Sequence, residues 1–279
     1  NVDGLSWNAR VNFTKSENTV TEQADDQIVF AGNTATWIGG NAAIEGQPLG
    51  VIVGSRIERD DNGNYVVNAS GNYGVESTMA IDANGNEVPI GTEGSRQITP
   101  IIGNPEPDYV MNFINTLKYK NFTLGWQLSH TAGGDIVAKT VATLLGRGGI
   151  VEDRKNTFVL PGVRQDGTPN TLQINNSTYY FSNVLFGPLE LNVYDGSVVR
   201  LQELSLSYAF PQKFLDKTPF GALSLTATGF NLWYDAYNTP DAANFDPNVA
   251  GVGVGNARGW DFLNGPSSKR YGISLKASF

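Results

Sequence analysis

Apolar and polar residues alternate through residues 270–279, where Tyr271, Ile273, Leu275, Ala277 and Phe279 occupy every second position and Gly272, Ser274, Lys276 and Ser278 fill the gaps. A period of two puts the two sets on opposite faces of a β-strand. Residues 5–14 repeat the pattern, with Leu5, Trp7, Ala9, Val11 and Phe13 against Ser6, Asn8, Arg10, Asn12 and Thr14. Residues 109–120 set Tyr109, Met111, Phe113, Leu117 and Tyr119 against Asn112, Thr116, Lys118 and Lys120. A tight turn at Lys120-Asn121 then leads into Phe122, Leu124, Trp126 and Leu128, the clearest hairpin in the chain. Residues 198–210 carry Leu204, Leu206, Tyr208 and Phe210 on one side, and Pro211 ends the run. Residues 222–233 return with Leu223, Leu225 and Ala227; a bulge is expected at Gly229, where the apolar side switches to Phe230 and Leu232. Residues 48–58 and a segment within 15–48 are read as two further strands, which brings the expected total to about eight.

The connections fall into two classes. Residues 120–121 and 211–221 form short turns, whereas 59–107, 131–197 and 234–268 are long. A short helix is expected over residues 135–145, between Gly133-Gly134 and Gly146. If the C-terminus lies at the periplasmic end, every short turn lies there and every long loop on the far side, the arrangement of an outer-membrane barrel. Trp7, Tyr119, Phe122, Tyr208, Phe210 and Phe279 cluster toward that rim, as an aromatic girdle does. Asp61-Asn62-Gly63-Asn64 and Asp82-Ala83-Asn84-Gly85-Asn86 read as turns, since Asn and Gly accept positive φ. The rival reading, a calcium site at Asp60, Asp61 and Asn64, lacks the closing Glu of an EF-hand loop.

Composition narrows the class. Hydrophobic residues make up 40% of the 279, and the 32 glycines suit short strands and polar loops better than a helical bundle. No segment reaches the ~18 consecutive apolar residues of a membrane helix; the uncharged stretch 218–234 contains Pro219, Gly221 and Gly229 and alternates like a strand. A net charge of −8 argues against nucleic-acid binding, and the absence of Cys excludes disulfides and thiolate metal sites. Residues 1–10 do not read as a signal peptide, so the chain is expected to be mature, trimmed or a piece of something longer.

Several segments resemble the C-terminal barrel region of SusC/RagA-family TonB-dependent transporters of Bacteroidetes outer membranes. They are EGQPLGVIVG (45–54), IGNPEPDYVMNF (102–113), LKYKNFTLGWQLSHTAGGDI (117–136), VYDGSVVRLQELSLSYAFPQKFL (193–215), LSLTATGFNLW (223–233), FDPNV (245–249) and PSSKRYGISLKASF (266–279), in the family's order. The resemblance implies an all-β fold, an antiparallel transmembrane β-barrel in which residues 1–279 supply roughly the last eight of about 22 strands. The plug domain, the TonB-contacting segment and the N-terminal barrel strands would lie outside this chain. It also implies import of an oligosaccharide or peptide in concert with a SusD-like surface lipoprotein, and location in the bacterial outer membrane as a multi-pass β-barrel. The implied partners are that lipoprotein, TonB through the N-terminal region, the remaining barrel strands, outer-membrane lipid and a glycan or peptide substrate.

Candidate site residues follow from these faces. Tyr271, Ile273, Leu275 and Phe279 are expected to face lipid on the closing strand. In the outer loops, Tyr179, Tyr180, Tyr234, Tyr237 and Trp260 are candidates for contact with substrate or a lid protein, as are Phe181 and Phe262; packing of the loops is the competing role. His130 is read as a rim residue, and Arg200, Glu203 and Arg270 as wall residues in salt bridges or along the substrate path. With one His and no Cys, nucleophilic catalysis would rest on His130 alone, so no enzymatic activity, metal or cofactor is expected. A passive porin or adhesin-type barrel, or a secreted carbohydrate-binding β-sandwich, are the alternative readings.

Overall fold

The computed structural model describes residues 4–32, 39–150, 153–249 and 257–279. Six long strands form one antiparallel sheet, in which neighbours in the chain are neighbours in space: β1 (Leu5–Thr14), β2 (Pro107–Tyr119), β3 (Phe122–Gly133), β4 (Val198–Ala209), β5 (Ala222–Asp235) and β6 (Arg270–Ser278). This sheet is called the wall. Its register keeps the alternation in phase from strand to strand, with Trp7 opposite Leu117, Leu117 opposite Leu124, Leu124 opposite Leu206, Leu206 opposite Ala227 and Ala227 opposite Ile273. One face is therefore apolar across the sheet, and the other carries Ser, Thr, Asn and Gln. Within the described residues, β1 and β6 each pair on one side only and form the two edges of the wall.

Two short turns join wall strands at one end. Tyr119 faces Phe122 across Lys120-Asn121, with Lys120 at φ +51°. Pro211 and a helical turn at Gln212–Leu215 lead from β4 to β5. The connections 15–106, 134–197 and 236–269 leave from the other end and build a crown of small sheets. The wall thus holds six strands among the described residues rather than eight. The expected strand at 48–58 belongs to the crown, where Val51–Gly54 is buried at every position. Val51 and Val53 pack with Ala42, Ile44, Ile81 and Ile98, whereas Ile52 packs oppositely with Val137, Leu189 and Trp260. A strand covered on both faces has no polar side to turn toward a lumen, which excludes it from the wall. The strand expected within 15–48 is two short crown strands, Ile28–Gly32 and Gly39–Ala43.

The helix expected over 135–145 is shorter. Asp135–Ala138 is a strand, paired with Val193–Asp195 and Trp260–Asp261, and α1 begins at Lys139 and ends at Gly146. At the Asp60 and Asp82 loops the aspartate Oδ1 accepts the amides two and four residues on, at 2.8–2.9 Å. Gly63 and Gly85 adopt φ near +80°, so both loops are Asx turns. The irregularity in β5 falls just beyond Gly229, at Asn231 with φ +52°. Phe230 remains on the polar face opposite Glu203 and Arg270, so only Leu232 follows the expected switch.

Candidate functional site

The wall's apolar face is uncovered. Ile273 is 82% exposed, Leu275 66% and Phe279 90%, and Tyr271 is equally open. Among the described residues no second sheet lies over them. Exposed Trp7, Val11, Phe13, Phe113, Phe122, Leu204, Leu206 and Leu225 extend the surface from β1 to β6, far more than a soluble monomer leaves bare. Asn115, an amide on this face, accepts a hydrogen bond from Trp7 Nε1 at 3.1 Å.

Aromatic rings edge this face at both ends. Toward the short turns, Phe122 packs on Tyr208 at 4.8 Å between centroids, Tyr208 on Phe210 at 5.1 Å and Phe220 on Phe279 at 5.3 Å. Toward the crown, Phe13 stacks on Tyr109, Tyr109 meets His130 edge-on, and His130 Nε2 lies 3.0 Å from the Tyr237 hydroxyl. Tyr109 and Tyr119, ten residues apart on β2, are separated by about 26 Å of height at ~3.4 Å per residue and a tilt of about 40°, close to the ~25 Å apolar band of a membrane barrel.

The polar face is a ladder of small hydroxyls and amides, as in the Thr226–Ser207 hydrogen bond of 2.8 Å. Where it meets the crown, Arg200 is buried against Asp246 in a two-pronged ion pair, Nη1 to Oδ2 at 3.0 Å and Nη2 to Oδ1. The guanidinium also lies 5.3 Å over the Tyr234 ring, and the Tyr234 hydroxyl donates to the Asn244 carbonyl at 2.7 Å. Burial works against ionisation of Asp246, yet hydrogen bonds from Arg200, Ser267 and the Asn248 amide hold its carboxyl below the usual range. The pair ties loop 236–249 to β4. Arg270 lies 5.4 Å over Phe230 on the same face.

The loop aromatics separate by role. Trp260 is 4% exposed in the crown core. Gly39 exists there because a Cβ would meet both Leu189 and Trp260 at 2.8 Å. Tyr179 packs beside Ile57, Val67, Tyr73 and Leu160, and Tyr180 meets it edge-on at 5.2 Å. Tyr234 serves the Arg200 latch, and Tyr237 is exposed beside His130. The structure therefore does not gather these five into one patch. A neighbouring group is more open: Phe181 and Phe186 pack at 5.0 Å with Arg147 over both rings. Sequence reasoning passed over Lys139 and Asp246. Lys139 shares a buried helix face with Ala142 and Gly146, and its ammonium donates to Asn192 Oδ1 at 2.7 Å. Burial lowers its pKa to about 8. Asp246 had a signal, because Arg200 falls in the apolar run VVRL and a buried cation needs an acid. Among the described residues no three His, Asp or Glu converge as a metal site, and no helix is long and apolar enough to cross a membrane.

A six-stranded antiparallel sheet with a bare apolar face, a polar face and a crown at one end is a portion of a β-barrel wall. No protein-family profile matches the chain. Two curated relatives from Formosa agariphila align with 99% of it: TonB-dependent receptor P3, 25% identical over 290 residues, and TonB-dependent receptor P26, 24% identical over 302. Solved structures of the RagAB peptide transporter share the fold over 100% of the chain, with TM-scores of 0.56 and, in the closed-closed state, 0.57, at 16% and 15% identity. In sequence, then, the chain is similar to TonB-dependent receptors, and in fold to the RagAB transporter. It spans about a quarter of their length, 27% of each curated relative and 28% of the RagAB chains.

Proposed function

We propose that residues 1–279 are the C-terminal barrel part of an outer-membrane TonB-dependent importer. Tyr271, Ile273, Leu275 and Phe279 face lipid, the Ser/Thr/Asn ladder faces the lumen, the crown forms the extracellular mouth, and the C-terminus lies at the periplasmic end. The observation that carries this reading is the bare apolar face between two aromatic rows at bilayer spacing. The cargo is an oligosaccharide or a peptide, moved without chemical change; the relatives carry the names of receptors and a peptide transporter. A SusD-like lipoprotein closes over the crown, with Tyr180 and Tyr237 as contacts, and TonB engages a segment outside these residues. The wall edges β1 and β6 are completed by other strands of the same barrel, since an open edge cannot face lipid.

The test expresses the full open reading frame and follows fractionation and uptake. Extraction from outer membranes only by detergent, together with cargo uptake that stops when TonB is deleted, is expected. Recovery in the aqueous phase without detergent would overturn the wall assignment, and uptake indifferent to TonB would point to a passive pore.

A further inference from the structure

Charge is spread unevenly between the two ends of the molecule. The chain carries 27 acidic and 19 basic side chains, yet at the short-turn end the sign reverses. Residues 4–8, 117–124, 205–226 and 274–279 hold Lys118, Lys120, Lys213, Lys217 and Lys276 against one acid, Asp216. The alternation divides these cations. Lys118 and Lys276 stand on the polar face, opposite Thr123 and Ser224. Lys120, Lys213 and Lys217 lie exposed on the two turns, and none of them is in a salt bridge among the described residues. The turns are fastened side by side. The Ala209 amide donates to the Asn121 carbonyl at 2.9 Å, and Asn121 Nδ2 donates to the Ala209 carbonyl at 2.8 Å. The Lys120 ammonium lies 5.2 Å over Tyr119, a ring of the apolar face, and that of Lys213 lies 5.1 Å over the exposed ring of Phe214. Both cations thus rest on open rings beside the aromatic row of Phe122, Tyr208 and Phe210.

We propose that the paired turns bind the headgroup of an anionic phospholipid in the leaflet they border, the periplasmic one in the orientation given above. Lys120, Lys213 and Lys217 take its phosphate, and the rings lie beside the upper carbons of its acyl chains. The inference rests on the wall assignment. Ammonium groups without acidic partners call for an anion, and rings at the same level call for hydrocarbon. A phospholipid supplies both in one molecule, whereas a free phosphate leaves the rings bare. Lysine stems laid along interfacial rings, with their ammonium groups in the headgroup layer, form a membrane anchor. The sign of the headgroup follows from the excess of cations. A zwitterionic lipid brings its own ammonium to its phosphate and gains less from three lysines, while each lysine near an anionic surface adds up to about fivefold in affinity. Lys118 and Lys276 do not share in this site, because the wall itself stands between the polar face and the bilayer.

The experiment uses the full-length protein, delipidated in mild detergent and titrated with phosphatidylglycerol or phosphatidylethanolamine, with bound lipid counted by native mass spectrometry. The wild type is expected to prefer phosphatidylglycerol by about tenfold. The triple variant Lys120→Gln/Lys213→Gln/Lys217→Gln should abolish that preference, and Lys213→Gln alone should lower it by up to about fivefold. Lys118→Gln/Lys276→Gln removes two cations from the polar face at the same height and should leave the preference unchanged. A wild-type preference retained by the triple variant, in protein that keeps its heat-modifiable gel mobility, would overturn the proposal. So would an equal loss in the polar-face variant, which would reduce the effect to net charge. Binding of glycerol 3-phosphate as tight as that of phosphatidylglycerol would replace the lipid with a soluble anion and overturn it as well. Protein that stays soluble with no detergent at all would instead overturn the wall assignment beneath it.

Discussion

Wall and crown are made from one chain by opposite rules. In the wall, large apolar side chains stand on the surface: Ile273 and Leu275 of β6 touch no core, and the sheet holds together through its backbone ladder and cross-strand pairs. In the crown, apolar side chains turn inward, among the described residues to four small clusters, and Val51–Gly54 is buried on both faces. Polar groups follow the same inversion. The wall's polar ladder lies on one open face, whereas the crown buries Lys139 against Asn192 and, at its junction with the wall, Asp246 against Arg200 of β4. A water-solvated body is built on top of a body that needs another solvent. The boundary runs through the crown ends of β4 and β5.

The comparison is tested most severely at that boundary. Arg200→Leu leaves Asp246 buried without its cation, a loss expected to cost ~3–5 kcal/mol. Because the pair holds loop 236–249 to β4, the damage should appear as faster proteolysis within that loop while the wall keeps its gel mobility. The double variant Arg200→Leu/Asp246→Leu removes both charges and should recover most of the protection, since replacing a buried pair with apolar groups is often neutral. Unchanged proteolysis in Arg200→Leu would mean that the loop is held by other contacts.

A second strain on the crown is Lys139. Its ammonium titrates near 10.5 when unfolded and is lowered to about 8 by burial in the fold. Below pH 8 both states are protonated and the full desolvation cost is present. Between about pH 8 and 10.5 the folded form has released its proton while the unfolded chain still holds one, so stability rises with pH across that window. The total change is about 3 kcal/mol, each tenfold change in the acid dissociation constant being worth ~1.4 kcal/mol. Thermal melts from pH 7 to 10 should show the wild type gaining on Lys139→Met, which is expected to be the more stable at neutral pH. A constant difference across the range would contradict this account.

The two bodies also differ in how much of them the sequence discloses. All six wall strands are legible from period-two alternation, because each has one apolar and one polar face; β2 even carries its alternation into the turn at Lys120. The crown is opaque for the converse reason. Val51-Ile52-Val53 has no polar phase, and many crown strands are only two or three residues long. Their partners are remote: the Tyr73 amide donates to Asn183 Oδ1, the Ile57 amide to Glu190 Oε2, and Asn41 Nδ2 to the Arg258 carbonyl. A local reading of residues 48–58 consequently puts them in the wrong body. The loop aromatics are recognisable as a class, but nothing local separates core Trp260 from exposed Tyr237.

The wall's faces are distinguished by charge insertion. Leu275→Arg and Leu225→Arg sit opposite each other on the apolar face, while Ser274→Arg is on the polar one. A lipid-facing Arg costs ~2–4 kcal/mol at the midplane and less toward the rims. Leu225 lies three residues from the short-turn end of β5, so about 2 kcal/mol is expected there, with Ser274→Arg much milder. Folding yield into bilayers and urea unfolding of the inserted protein both read this difference. Equal tolerance at all three positions would end the distinction between wall and crown, because the apolar face would then not be solvated by lipid.

The smallest effect lies at the wall's tightest turn. The crown's Asx turns place glycine at positive φ, at Gly63, Gly71, Gly85 and Gly167, whereas the β2–β3 turn places Lys120 there at φ +51°. A side chain in the left-handed region costs on the order of 1 kcal/mol, part of which Lys120 recovers by holding its ammonium 5.2 Å over the Tyr119 ring. Lys120→Gly removes the strain and the ring contact together, and it loosens the unfolded chain. These terms oppose, so the net gain should stay below about 1 kcal/mol. Urea unfolding in lipid measures it. A clear loss of stability would show that the cation at the short-turn rim contributes more than the backbone strain removes, and that the wall's turns are selected for charge at the membrane boundary instead of for backbone ease.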